Sequence, residues 1–154
     1  MHNLTTSITI SASAEQVRHI LTDFSFYSRW NPFITSITGK PEVGHKLSIT
    51  ISADGMKPMS IKPTVLYAEL DCEFRWLGHM IIPGLFDGEH YFIIEEKSPG
   101  TLLFTHGENF SGIFAVLVVN QYGQAIRKGF EAMNEALKHR AEQMKEHAKQ
   151  DYAT

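Results

Sequence analysis

At 154 residues, 43% of them hydrophobic and 20% charged, the chain has the size and composition of one globular domain with a core to bury. A net charge of −3 without any Lys/Arg run argues against a phosphate-binding face, so nucleic acid is not an expected partner. The single cysteine, Cys72, excludes an intrachain disulfide and fits a reducing compartment. The opening MHNLTTSITI lacks the basic and apolar regions of a signal peptide, and the longest apolar run, Gly112 to Val119, is too short for stable membrane insertion. A cytoplasmic location is therefore expected.

Leu4 to Ile10 alternates apolar residues with threonine and serine, which predicts a strand. Ser11 or Ser13 can cap a short helix over Ala14 to Leu21, and Asp23 to Trp30 predicts a second one that Asn31-Pro32 stops. The period then changes. Strand-length segments follow between Gly, Pro and Asp: Phe33 to Thr38, Leu47 to Ala53, Ile61 to Glu69, Glu73 to Met80, Asp87 to Glu96 and Leu102 to Phe110. Short loops between them suggest an antiparallel meander. From Gly112 the pattern is helical, with Ser111 as the expected N-cap and Phe114, Val118, Tyr122, Ile126, Gly129, Met133 and Leu137 on one apolar stripe. Gly129 on that stripe suggests close backbone approach or reserved space. Gly112 to Val119 is apolar all round, so a second contact is expected there: ligand, dimer partner or loop.

The segments ITISASAEQVRHILTDFSFYSRWNPFI, FRWLGHMIIPGLFDGEHYF, THGENFSG and GFEAMNEALKHRAE together resemble the START-like, or SRPBCC, superfamily of helix-grip proteins. That superfamily includes birch-pollen-allergen-like proteins and polyketide cyclases. The resemblance spans nearly the whole chain, with Ser13 where the family often has proline and Arg18 where a large aromatic often stands. It implies an α+β fold in which a curved antiparallel sheet of about seven strands wraps around the long C-terminal helix, with two short helices after the first strand and a ligand cavity between sheet and helix. Residues 1–148 are expected to form the single domain and 149–154 a frayed tail. No cofactor is implied, and the superfamily usually works without metal.

FTHGENF, residues 104 to 110, carries the candidate site. In a strand Phe104, His106, Glu108 and Phe110 share one face. An imidazole and a carboxylate on the aromatic-ended, core-facing side are costly to bury without partners. The preceding strand puts Phe86, Gly88, His90, Phe92 and Ile94 on one face, and only even-to-even pairing keeps both faces buried. A three-residue loop would set His90 opposite His106, and a five-residue loop would set it opposite Glu108. His90, His106 and Glu108 form a cluster either way.

Three roles for the cluster stay open. The groups can satisfy one another, a helix side chain such as Tyr122 or Gln121, and trapped water. They can be polar anchors for a ligand in an apolar pocket lined also by Trp76, Phe92, Phe104, Phe110, Tyr122, Ile126 and Met133. They can move protons in a cyclisation, dehydration or isomerisation. Two histidines and a carboxylate also match the ligand types of a metal triad, but no spacing supports a metal site. The expected function is binding, transport or sequestration of a small hydrophobic or amphipathic molecule, a lipid among them. The alternatives are a cofactor-independent cyclase, dehydratase or isomerase, and a protein-interaction module like the ATPase activators of the superfamily. The apolar loops Ile81 to Phe86 and Met56, Pro58 and Met59 suggest a portal, a membrane contact or a partner surface, or else simply cap one end of the core, and a homodimer is a further candidate assembly.

Overall fold

Residues 1–153 are described by a computed structural model. Strand β1 (His2–Ile10) leads into helix α1 (Ala14–Thr22), where Ser13 accepts from the Gln16 amide and the Gln16 side chain accepts from the Ser13 amide. This reciprocal capping fixes the entry to the helix. The second expected helix is a 3-10 turn, Phe24–Phe26, followed by the single α-turn α2 (Tyr27–Trp30). Strands β2 (Ile34–Thr38), β3 (Ser48–Ile51) and β4 (Met59–Ile61) form one antiparallel ladder. Strands β5 (Thr64–Glu69), β6 (Glu73–His79), β7 (Asp87–Ser98) and β8 (Thr101–Ser111) join β1 in the order β1-β8-β7-β6-β5.

The expected α+β helix-grip class holds, with eight strands in two ladders where one sheet of about seven was expected. The segment Ile61 to Glu69 divides at Lys62-Pro63, because proline has no amide to donate to a ladder. The two ladders still meet: Lys46 bridges Thr64, and the Leu47 amide donates to the Pro63 carbonyl.

Helix α3 (Ala115–Tyr152) packs on β1 and β8, burying Ile126, Phe130, Met133, Leu137 and Ala141. It starts later than expected. Ser111 ends β8 and caps nothing; Gly112 turns the chain at φ 103, where a side chain would strike the Leu85 carbonyl. The Ile113 and Phe114 amides then donate to the Gly84 and Leu85 carbonyls, which holds the helix start against the β6–β7 loop. The helix runs on to Tyr152, through most of the segment expected to fray; Thr154 of that segment lies outside the described residues. Arg127 and Lys138 donate to the Thr5 and Thr9 carbonyls on the edge strand β1, covering acceptors that an edge otherwise leaves bare. Gly129 brings the helix against the Phe33 ring, close enough that a Cβ would collide with it.

Candidate functional site

The β7–β8 hairpin turns tightly between Ser98 and Thr101, with an irregularity at Glu96 to Ser98 that restores even-to-even pairing. His90 faces Glu108 and Phe92 faces His106. Of the two registers left open by the sequence, the structure adopts the one that sets His90 against Glu108.

An apolar cavity of about 550 Å³ lies beneath the first turns of α3. Val118, Tyr122 and Ile126 project from the helix at one-turn spacing, Phe33 and Ile51 form another wall, and Phe86, Gly88, Glu108 and Phe110 line the hairpin side. Exposed Gly55, Lys57 and His79 stand at its rim, so the cavity opens between the loop 52–58 and the end of β6. Met56 and Met59, expected at a portal, do line it.

Of the expected ligand-binding residues, Glu108, Phe110, Tyr122 and Ile126 line this cavity. His90, His106, Trp76, Phe92, Phe104 and Met133 do not; they are buried behind it. The reason is depth. Both imidazoles are enclosed by rings: Trp76 stacks on His90 at 4.8 Å with planes 2° apart, and Phe130 stacks on His106 at 4.0 Å. Phe33 covers both from the cavity side of Gly129.

The polar groups form a single line running inward from the cavity. Glu108 Oε2 lies 3.3 Å from His90 Nδ1, and His90 Nε2 lies 2.8 Å from His106 Nε2. His106 Nδ1 is 3.0 Å from Asn134 Oδ1; Asn134 Nδ2 donates to Thr6 Oγ1 at 2.9 Å; and the Thr6 hydroxyl donates to the His106 carbonyl at 3.0 Å. The expected helix partners Tyr122 and Gln121 are not part of this line; they bond each other at 3.0 Å. Asn134 and Thr6 were missed in the sequence, although each is a polar residue on an otherwise apolar face. Asn134 follows Phe130 by one turn beside Met133 and Leu137, and Thr6 falls between Leu4 and Ile8 in the strand alternation.

Burial sets the protonation of the line. It pushes His90 down to about 3 and Glu108 up to about 8. His106 is held well below the usual imidazole value, first by burial and then by His90, against the opposing hydrogen bonds to Asn134 and the Phe130 carbonyl. Among the described residues no group of three His, Cys, Asp or Glu is arranged to hold a metal ion. Both nitrogens of His90 and of His106 already face hydrogen-bond partners.

On the β6–β7 loop and the start of α3, which are hydrogen-bonded together, Ile81, Ile82, Ile113, Phe114, Val116 and Leu117 are exposed, and Ile81 holds φ 71. The all-apolar start of α3 therefore turns Val116 and Leu117 outward while Ala115 is buried. No helix among the described residues is long and apolar enough to cross a membrane.

Antiparallel ladders closed by a long helix over an apolar cavity define a helix-grip protein. The chain belongs to the family described as polyketide cyclase / dehydrase and lipid transport, whose profile matches residues 1–148. Solved structures agree on the fold. A START superfamily protein from Mycobacterium smegmatis is 20% identical, with TM-score 0.69 over 94% of this chain and 99% of that one. The di-domain ARO/CYC BexL from the BE-7585A biosynthetic pathway is 15% identical, with TM-score 0.69 over 92% of this chain and 50% of that one. A Thalictrum norcoclaurine synthase point mutant in complex with a transition-state analogue is 12% identical, with TM-score 0.68 over 94% and 96%. No curated protein matches the chain in sequence.

Proposed function

We propose that the protein binds a small, mainly apolar molecule in the cavity beneath α3, with Glu108 as the polar group that orients it. The observation that carries this is the cavity itself: about 550 Å³, walled by aliphatic and aromatic side chains, with one partly buried carboxyl on its inner wall. Such a volume suits a ligand of one to a few rings or a short acyl chain. His90 and His106 act on the ligand only through Glu108, and Trp76, Phe92, Phe104 and Met133 shape the core behind it. The exposed apolar patch on the β6–β7 loop and the start of α3 supports transfer of an apolar ligand to and from the protein.

Native mass spectrometry of gently purified protein tests the proposal, with Ile126→Trp to fill the cavity. A small molecule bound at one per chain and lost in Ile126→Trp is the expected result. A bare mass, with a melting temperature unmoved by a panel of neutral hydrophobic compounds, would sink the idea.

The carboxyl favours a second reading, acid–base chemistry on the bound molecule. Glu108 is a group on the inner wall of the cavity that could exchange a proton near neutral pH. Its test is Glu108→Gln, which should abolish turnover of any substrate found while leaving binding within severalfold.

A further inference from the structure

The hydrogen bonds behind Glu108 have a direction, and it can be followed from the far end. The Thr6 hydroxyl has one proton, and the His106 carbonyl it meets can only accept, so that proton is committed there. Thr6 Oγ1 must therefore receive from Asn134, which turns the Asn134 amide nitrogen toward Thr6 and its oxygen toward His106. His106 Nδ1 then carries a proton, which it donates to the Asn134 oxygen. A neutral His106 is left with Nε2 as an acceptor, so His90 Nε2 must donate to it. A neutral His90 in turn presents a bare Nδ1 to Glu108, and only a protonated carboxyl can fill that contact. Moving the proton from Glu108 to His90 would create an ion pair whose imidazolium is 2% exposed between rings, which burial opposes.

We infer that Glu108 stands in the cavity wall as an un-ionised carboxyl group, kept so by the hydrogen-bond line anchored at Thr6 and Asn134, and that the cavity therefore takes uncharged hydrogen-bond donors in preference to cations. This rests on the proposed ligand site. The Oε2 proton is turned inward to His90, while Oε1 lies over Gly88 in the cavity wall. What a ligand meets is a carboxyl C=O acceptor, suited to an alcohol, a phenol or an amide N–H. An ammonium group would demand the carboxylate, and the carboxylate would leave its lone pair against that of His90 unless the whole line reversed. Reversal is blocked at the other end by Thr6, whose one proton is committed to the His106 carbonyl.

The other titratable or charged groups around Glu108 do not supply a counter-charge. His79 on β6, Lys57 in the loop 52–58 and Tyr122 on α3 line the same cavity, and His2 shares the inward parity of β1. Among the described residues, only His90 lies within ion-pair distance of the Glu108 carboxyl. Arg75, Glu73 and Glu89 pair with one another on the opposite face of the sheet.

Thr6 and Asn134 are positioning residues in this account, and the protonation of a carboxyl four links away is the readout that a merely structural role would not move. The experiment is a 13C carboxyl NMR titration of Glu108 in the ligand-free full chain, for wild type, Thr6→Val and Thr6→Ser. Affinities for 2-naphthalenemethanol and 2-naphthalenemethylammonium are measured on the same three proteins. Wild type and Thr6→Ser should titrate above neutrality and bind the alcohol at least about tenfold more tightly than the ammonium. Thr6→Val, isosteric but without the hydroxyl, should lower the midpoint by about one pH unit and narrow that preference. A Glu108 midpoint in the ordinary carboxylate range, or one unmoved by Thr6→Val, would overturn the inference. A high midpoint with neither probe bound would overturn the ligand class and the cavity reading together.

Discussion

Glu108→Gln should reshape the dependence of stability on pH in a way that the unfolded chain makes calculable. In the unfolded state Glu108 loses its proton near 4.5 and His90 gains one below 6.5. The folded carboxyl is raised to about 8, so from 4.5 upward the folded state holds a proton that the unfolded state has released, and stability falls as pH rises toward 8. The folded His90 is lowered to about 3, so its contribution is full above 6.5 and is lost as pH falls toward 3. Between 4.5 and 6.5 these two slopes oppose each other, and the depressed His106 adds to the loss on the acid side. Above 6.5 only the Glu108 slope remains, at about 1.4 kcal/mol per pH unit, or about 2 kcal/mol between 6.5 and 8. Urea unfolding of wild type and Glu108→Gln at close pH intervals measures it, because subtracting the curves removes the other titrating groups. The difference should decline across this window. A flat difference would mean that Glu108 is ionised in the native state at neutral pH, and the account of the buried line would fail.

Three further outcomes follow from local geometry. Gly88→Ala introduces a Cβ that collides with Glu108 Oε1; the carboxyl must swing away from His90, lowering its NMR titration midpoint and destabilising the fold by about 1–3 kcal/mol in urea. Gly129→Ala sets a helix-propensity gain of about 1 kcal/mol against overpacking of Phe33 by about 1–3 kcal/mol, so the net effect in thermal unfolding should be destabilising. An increase in melting temperature would show that Phe33 yields freely. Ser13→Ala removes one half of the capping pair and should cost about 1 kcal/mol in chemical denaturation, with cavity binding unchanged.

Strand alternation was enough to bring His90, His106 and Glu108 together, because parity in a hairpin leaves few registers that bury both aromatic faces. Alternation does not report depth. It placed Glu108 and His106 on the same face without revealing that one reaches the cavity while the other lies beneath Phe130 and Phe33. Thr6 and Asn134 stand 128 residues apart and meet only because α3 packs along β1, a pairing with no local signature. The start of α3 was misplaced for a related reason. Its first amides are satisfied by carbonyls of the β6–β7 loop, a tertiary contact that makes a side-chain cap at Ser111 unnecessary. Pro63, by contrast, is visible in the sequence, and its missing amide is the local signal for the divided strand.

The one-way line from Thr6 to Glu108 also bears on how this protein can vary. Each interior member is both donor and acceptor to its neighbours, so replacing one of them alone strands a buried polar atom on either side. Replacing His90 and His106 together by apolar rings of similar size removes both halves of the innermost contact at once, and should be less harmful than the two single changes added. Among relatives with this fold these positions should then be exchanged as a block, polar throughout or apolar throughout, and mixed combinations should be rare.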